Sequence, residues 1–147
     1  MSLDQELLEK IQIDIDDDEV LQELYNEYGV AELLTFSEFN IAEKISDNTF
    51  IAEQFRLLYL KEKYFLSQIE DIFDKKQGTL YDYYKFENEK TLTKTEIEKY
   101  YLPKDKKLQE LKGHRKKQEQ RVDFFESVWK ALERQAWLLR AFQKEQI

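Results

Sequence analysis

Between Leu108 and Leu139 the chain repeats in alternating steps of three and four residues: Leu108, Leu111, Arg115, Gln118, Val122, Phe125, Trp129, Leu132, Ala136 and Leu139. Such steps return a side chain to the same side of an α-helix, so they predict one long helix with a heptad seam, polar at its centre and aromatic beyond. A second apolar line runs beside the first through Phe124, Val128, Ala131, Leu138 and Phe142. Upstream, Ile51, Phe55, Leu58, Phe65, Ile69 and Ile72 recur at helical spacing and predict another long helix. Ser46-Asp47-Asn48 reads as its N-cap cluster, with the helix starting near Thr49, and Gly78 weakens it without ending it. Shorter helices are predicted over Ser2–Ile11, from the acidic run Asp14–Glu19 to about Tyr28, and over Val30–Glu43, with Gly29 stopping the second. Thr93 and Glu96 have capping-box spacing and open a short helix to about Tyr101. Leu102-Pro103 breaks it, and Pro103 then suits the first turn of the last helix.

Composition removes the competing fold classes. Among 147 residues there are three glycines and one proline, too few for the turns of an all-β or doubly wound α/β fold. The expected fold is all-α, with two long helices and several short ones. Residues 1–45 read as an acidic helical region, and residues 46–147 as a second helical domain. A helix with two apolar seams needs two sets of partners, and one chain offers a single other long helix. Either the short N-terminal helices cover the surplus, or copies of the chain do and form a ring-like homo-oligomer. In the latter case Val122, Phe125, Val128, Trp129, Leu132 and Leu139 form the expected interface between subunits.

Several functions are disfavoured by what is missing. There is no cysteine, and His114 is the single histidine, so neither a conventional zinc site nor a histidine triad can be built. No glycine-rich phosphate loop or dinucleotide fingerprint is present. The acidic run Asp14–Glu19 could hold Mg²⁺ weakly but is no EF-hand loop, because Glu19 and Tyr25 stand where glycine and glutamate are required. No enzyme, cofactor or metal site is expected. No apolar run approaches a membrane span and no secretory segment follows Met1, so a cytoplasmic location without membrane contact is expected.

Charge then changes the picture. The net charge is −8, yet residues 1–50 hold 14 acids and two bases, so the rest of the chain is net basic. From Lys104 to Arg121 there are eight Lys/Arg against three acids. Leu80-Tyr81-Asp82-Tyr83-Tyr84-Lys85-Phe86 puts four aromatic rings beside a lysine. Cations that follow phosphates and rings that stack on unpaired bases are what single-stranded nucleic acid requires. The bland alternative is a solvated helix face, with the rings closing a helix end over the core. Lys61, Lys63, Lys75, Lys76, Tyr83, Tyr84, Lys85, Lys112, Arg115 and Lys116 are the candidate DNA contacts.

A resemblance extends this reading. Asp82-Tyr83-Tyr84, Lys94-x-Glu96-Ile97, Tyr101-Leu102-Pro103-x-Asp105-Lys106-x-Leu108, Val122-Asp123-Phe124-Phe125-Glu126 and Gln135-Ala136-Trp137-Leu138-Leu139-Arg140-Ala141-Phe142 follow one another in order. The ordered set is similar to the UvsY-like recombination mediators of T4-type phages, over roughly Phe50–Phe142. Gly78 and Leu80 stand where that family carries basic residues, and Lys75, Lys76 and Lys85 are the nearest cations. The resemblance implies a non-enzymatic protein of the host bacterial cytoplasm that forms a hexameric or heptameric ring. It implies three further partners: single-stranded DNA, a RecA-like phage recombinase that the protein loads, and the phage single-strand-binding protein that is displaced. A helical protein-interaction scaffold without DNA binding is the alternative.

Overall fold

In a computed structural model of the chain, residues 17–35, 40–88 and 90–145 are described. Every regular element among them is helical: α1 (Asp17–Glu27), α2 (Val30–Leu33), α3 (Ile41–Asp82), α4 (Lys94–Glu96) and α5 (Lys106–Glu145). The two long helices, α3 and α5, have 42 and 40 residues. A π-type turn, Tyr83–Glu87, ends α3, and a second, Ile97–Tyr101, continues α4. A 3₁₀ turn over Leu102–Lys104 then leads into α5. Pro103 sits in that turn, before the helix. No helix among the described residues is long and apolar enough to cross a membrane.

Local chemistry accounts for most boundaries. Gly29 takes a left-handed conformation (φ 56°) between α1 and α2, which glycine adopts without the Cβ penalty. The Thr93 hydroxyl accepts the Glu96 backbone N–H at 3.2 Å, and the Glu96 carboxylate accepts the Thr93 N–H at 3.4 Å, completing the expected capping box. The Asp105 carboxylate accepts the Leu108 N–H at 2.9 Å and so caps α5.

Two expected boundaries differ. Helix α3 begins at Ile41, not near Thr49, and the Ser46-Asp47-Asn48 cluster lies inside it. The Asn48 side chain is fully buried and donates to the Leu132 carbonyl (3.3 Å) and the Gln135 side-chain oxygen (2.7 Å). Its polarity serves a contact with a distant helix rather than a cap. Of the helix expected over Val30–Glu43, Val30–Leu33 form α2 and residues 41–43 belong to α3, while residues 36–39 lie outside the described residues. The expected helix Ser2–Ile11 lies outside the described residues.

The chain divides into two compact units, to both of which α3 and α5 contribute. In the unit holding Tyr64–Gln118, Leu92, Ile97, Leu102 and Leu108 form a buried cluster. Phe73, Leu80, Tyr81, Tyr84 and Tyr101 pack against it. Leu111 and Gln118 of the seam are buried, and Arg115 places its guanidinium 4.8 Å from the Phe73 ring centre.

The other unit holds Ile15–Lys63 and Glu119–Ile147. Its core joins Leu24, Val30, Ala52 and Phe55 to the α5 residues Val122, Phe124, Phe125, Val128, Leu132, Ala136 and Leu139, all buried. Tyr28 meets Phe55 and Phe125 edge-on, at 5.5 and 5.3 Å between ring centres, and Tyr25 meets Phe124 at 5.3 Å. Val122, Phe125, Val128, Leu132 and Leu139, expected at a subunit interface, are at most 8% exposed within a single chain, where packing in this core already takes up most of their surface. Trp129, the remaining residue of that set, is half-buried against Tyr59, with ring centres 5.6 Å apart. The N-terminal helix α1 covers the second apolar line at Phe124, while Leu138 and Phe142 further along remain exposed.

Candidate nucleic-acid interface

The turn from α3 through α4 to α5 concentrates rings and cations. Tyr64–Gln118 carries thirteen Lys/Arg, ten Asp/Glu and nine aromatic residues. The π-type turn after α3 leaves Tyr83 half-exposed and Phe86 largely exposed, while Tyr84 leans inward onto Tyr101, with ring centres 5.1 Å apart. Tyr83 and Tyr84 are themselves in edge contact at 5.3 Å. After α4, Tyr100 is 53% exposed, and the Lys99 ammonium lies 5.8 Å from its ring centre.

The candidate contacts separate by unit. Lys75, Lys76, Tyr83, Tyr84, Lys85, Lys112, Arg115 and Lys116 fall in the unit of Tyr64–Gln118, whereas Lys61 and Lys63 belong to the other. Lys75, Lys112 and Lys116 are exposed, and Lys76 is half-buried. Lys85 donates to the Leu92 carbonyl at 3.3 Å, which ties the π-type turn to the start of the α4 segment. Arg115 is half-buried over Phe73. Lys63 lies 5.6 Å from the Tyr59 ring centre and helps hold the Glu126 carboxyl below its ordinary range. The main cause of that lowering is the hydrogen bond from Lys130. Lys63 thus already has a carboxylate neighbour.

Residues outside the expected set line a cleft in the unit of Tyr64–Gln118, beside Tyr84. Tyr84, Tyr100 and Tyr101 share an open cleft of about 700 Å³ with Lys104, Lys106 and Lys107. The signal for it lies in Tyr100-Tyr101-Leu102-Pro103-Lys104-Asp105-Lys106-Lys107, which mixes rings and cations as Leu80–Phe86 does. Among the described residues no three His, Cys, Asp or Glu side chains gather to hold a metal ion. Part of the acidic run, Asp14–Asp16, lies outside the described residues. No family model, curated protein or solved structure matches the chain.

Proposed function

We propose that the chain is a recombination mediator: it binds single-stranded DNA without sequence preference and promotes loading of a RecA-like recombinase onto DNA coated by single-strand-binding protein. The observation that carries this is the gathering of exposed Tyr83, Phe86 and Tyr100 with Lys75, Lys104, Lys106, Lys107 and Lys112 in one helical unit. Rings offered to solvent suit bases that are not paired, and dispersed lysines suit a backbone of any sequence. The resemblance to the UvsY-like family supplies the recombinase and the displaced protein as partners. The acidic first fifty residues suit a basic protein partner better than DNA.

Assembly belongs to the same proposal. Trp137, Leu138 and Phe142 are 65, 52 and 40% exposed near the end of α5. Leu138 and Phe142 border an apolar groove of about 600 Å³ with Leu34, Ala131 and Leu139. A second copy of the chain, in a hexameric or heptameric ring, is the occupant we assign to this face. One chain offers few phosphate contacts, and a ring repeats them along one strand. The same face is what favours the alternative of an interaction scaffold without DNA binding.

Retention on single-stranded DNA separates the two. The logarithm of affinity should fall with the logarithm of salt at about −0.7 per neutralised phosphate. Homopolymers of different bases should bind within about tenfold of one another. Failure to bind at low salt, salt-independent affinity or preference for a short motif overturns the proposal.

A further inference from the structure

Tyr84 and Tyr101 are fixed side by side on the cluster of Leu92, Ile97, Leu102 and Leu108, with their rings tilted 48° to each other. They line the 700 Å³ cleft described above together with the more exposed Tyr100. That volume lies within the ~300–1,000 Å³ of small-ligand sites. Lys104, Lys106 and Lys107 supply the cations of the wall, and Glu96 and Asp105 its acids.

The two acids are engaged by the backbone. Glu96 accepts from the Thr93 N–H and hydroxyl, at 3.4 and 3.0 Å, and Asp105 accepts from the Leu108 N–H at 2.9 Å. Among the described residues the three lysines make no hydrogen bond or ion pair. The wall is therefore three cations against two anchored carboxylates, with the ammonium groups left to a ligand. It contains no Arg, Asn or Gln, whose planar groups present a fixed fork to a base edge.

We propose that this cleft seats one nucleotide of a single DNA strand, with the base against Tyr100 and the flanking phosphates against Lys104, Lys106 and Lys107. This rests on the single-strand function proposed above and gives it a location. Stacking accepts any base, and lysine meets phosphate as a point charge, so the seat reads no sequence.

The experiment titrates the full chain with a short fluorescent oligothymidylate over a range of salt. Tyr100→Leu should weaken binding about tenfold and leave the salt slope unchanged, because a ring contributes stacking and no charge. Tyr100→Phe should keep the parent's affinity. Lys106→Gln combined with Lys107→Gln should make the slope shallower by about 1.4, twice the value for one phosphate. All of these side chains are exposed, and far-ultraviolet circular dichroism should match the parent. If the parent binds and these variants bind as it does, with the same slope, the cleft is not the seat and the single-strand function stands. If the parent does not bind, both are overturned. A Tyr100→Phe variant as weak as Tyr100→Leu also overturns the stacking role.

Discussion

The Glu62–Arg121 pair shows how one residue's charge is accommodated. Arg121 reaches Glu62 through two hydrogen bonds, of 2.8 and 3.2 Å, with 24% and 8% of the two side chains exposed. Burial works against the Arg121 charge, but the hydrogen bond and charge of Glu62, with smaller contributions from Tyr28 and Glu27, outweigh it and raise its pKa. Glu62→Ala leaves that cation partly buried without its counter-charge and should cost about 3 kcal/mol, read from the urea midpoint. Glycine gives a contrast of sign. Gly113 lies within α5, with nothing within 4 Å of an added Cβ, so Gly113→Ala should stabilise by about 0.5–1 kcal/mol. Gly29→Ala should destabilise by about 1 kcal/mol, because φ 56° is costly for an L side chain.

At the scale of elements, the seam of α5 supplies buried residues to the core of each unit, while Trp137, Leu138 and Phe142 near its end stay exposed. Phe125 is fully buried among Phe55, Tyr28 and Phe124. Phe125→Ala should cost about 3–5 kcal/mol of folding stability, measured by thermal or urea unfolding. At the polar centre of the seam, Arg115 lies over Phe73 and Gln118 is fully buried.

At the scale of the whole molecule, the prediction concerns assembly and length of strand. A single chain of net charge −8 with a few free lysines should bind DNA in the non-specific range of ~10⁻⁴–10⁻⁶ M. Joining copies adds ~10²–10⁴ in avidity where one strand can reach several of them. Leu138→Glu with Phe142→Glu charges the exposed end of α5 without removing a cation or a fully buried side chain. Sedimentation should show smaller particles. Titration should show a large loss of affinity for long strands and little change for short ones. A variant that stays assembled, or that comes apart and still binds long strands as the parent does, removes this face from the assembly.

The all-helical class, the two long helices and the Thr93–Glu96 capping box were legible in the sequence because each is local. Heptad spacing sets which side chains share a face, and a cap needs only residues three apart. Part of the candidate site was legible for the same reason, since Tyr83, Tyr84 and Lys85 are neighbours in one turn. The rest was decided by tertiary structure. Spacing marks the seam of α5 as apolar but carries no label for its partner. The packing of α1 and α3 in the same chain claims Phe124, Phe125 and Leu132, leaving Leu138 and Phe142 exposed. Asn48 reads as a cap until Leu132 and Gln135 approach it from 84 and 87 residues away. The cleft depends on a π-type turn and a 3₁₀ turn in succession, which bring Tyr100 and Tyr101 back toward Lys104–Lys107 and set both against Tyr84. Those turns are held by a buried cluster drawn from several segments, and no local rule of residue spacing encodes that.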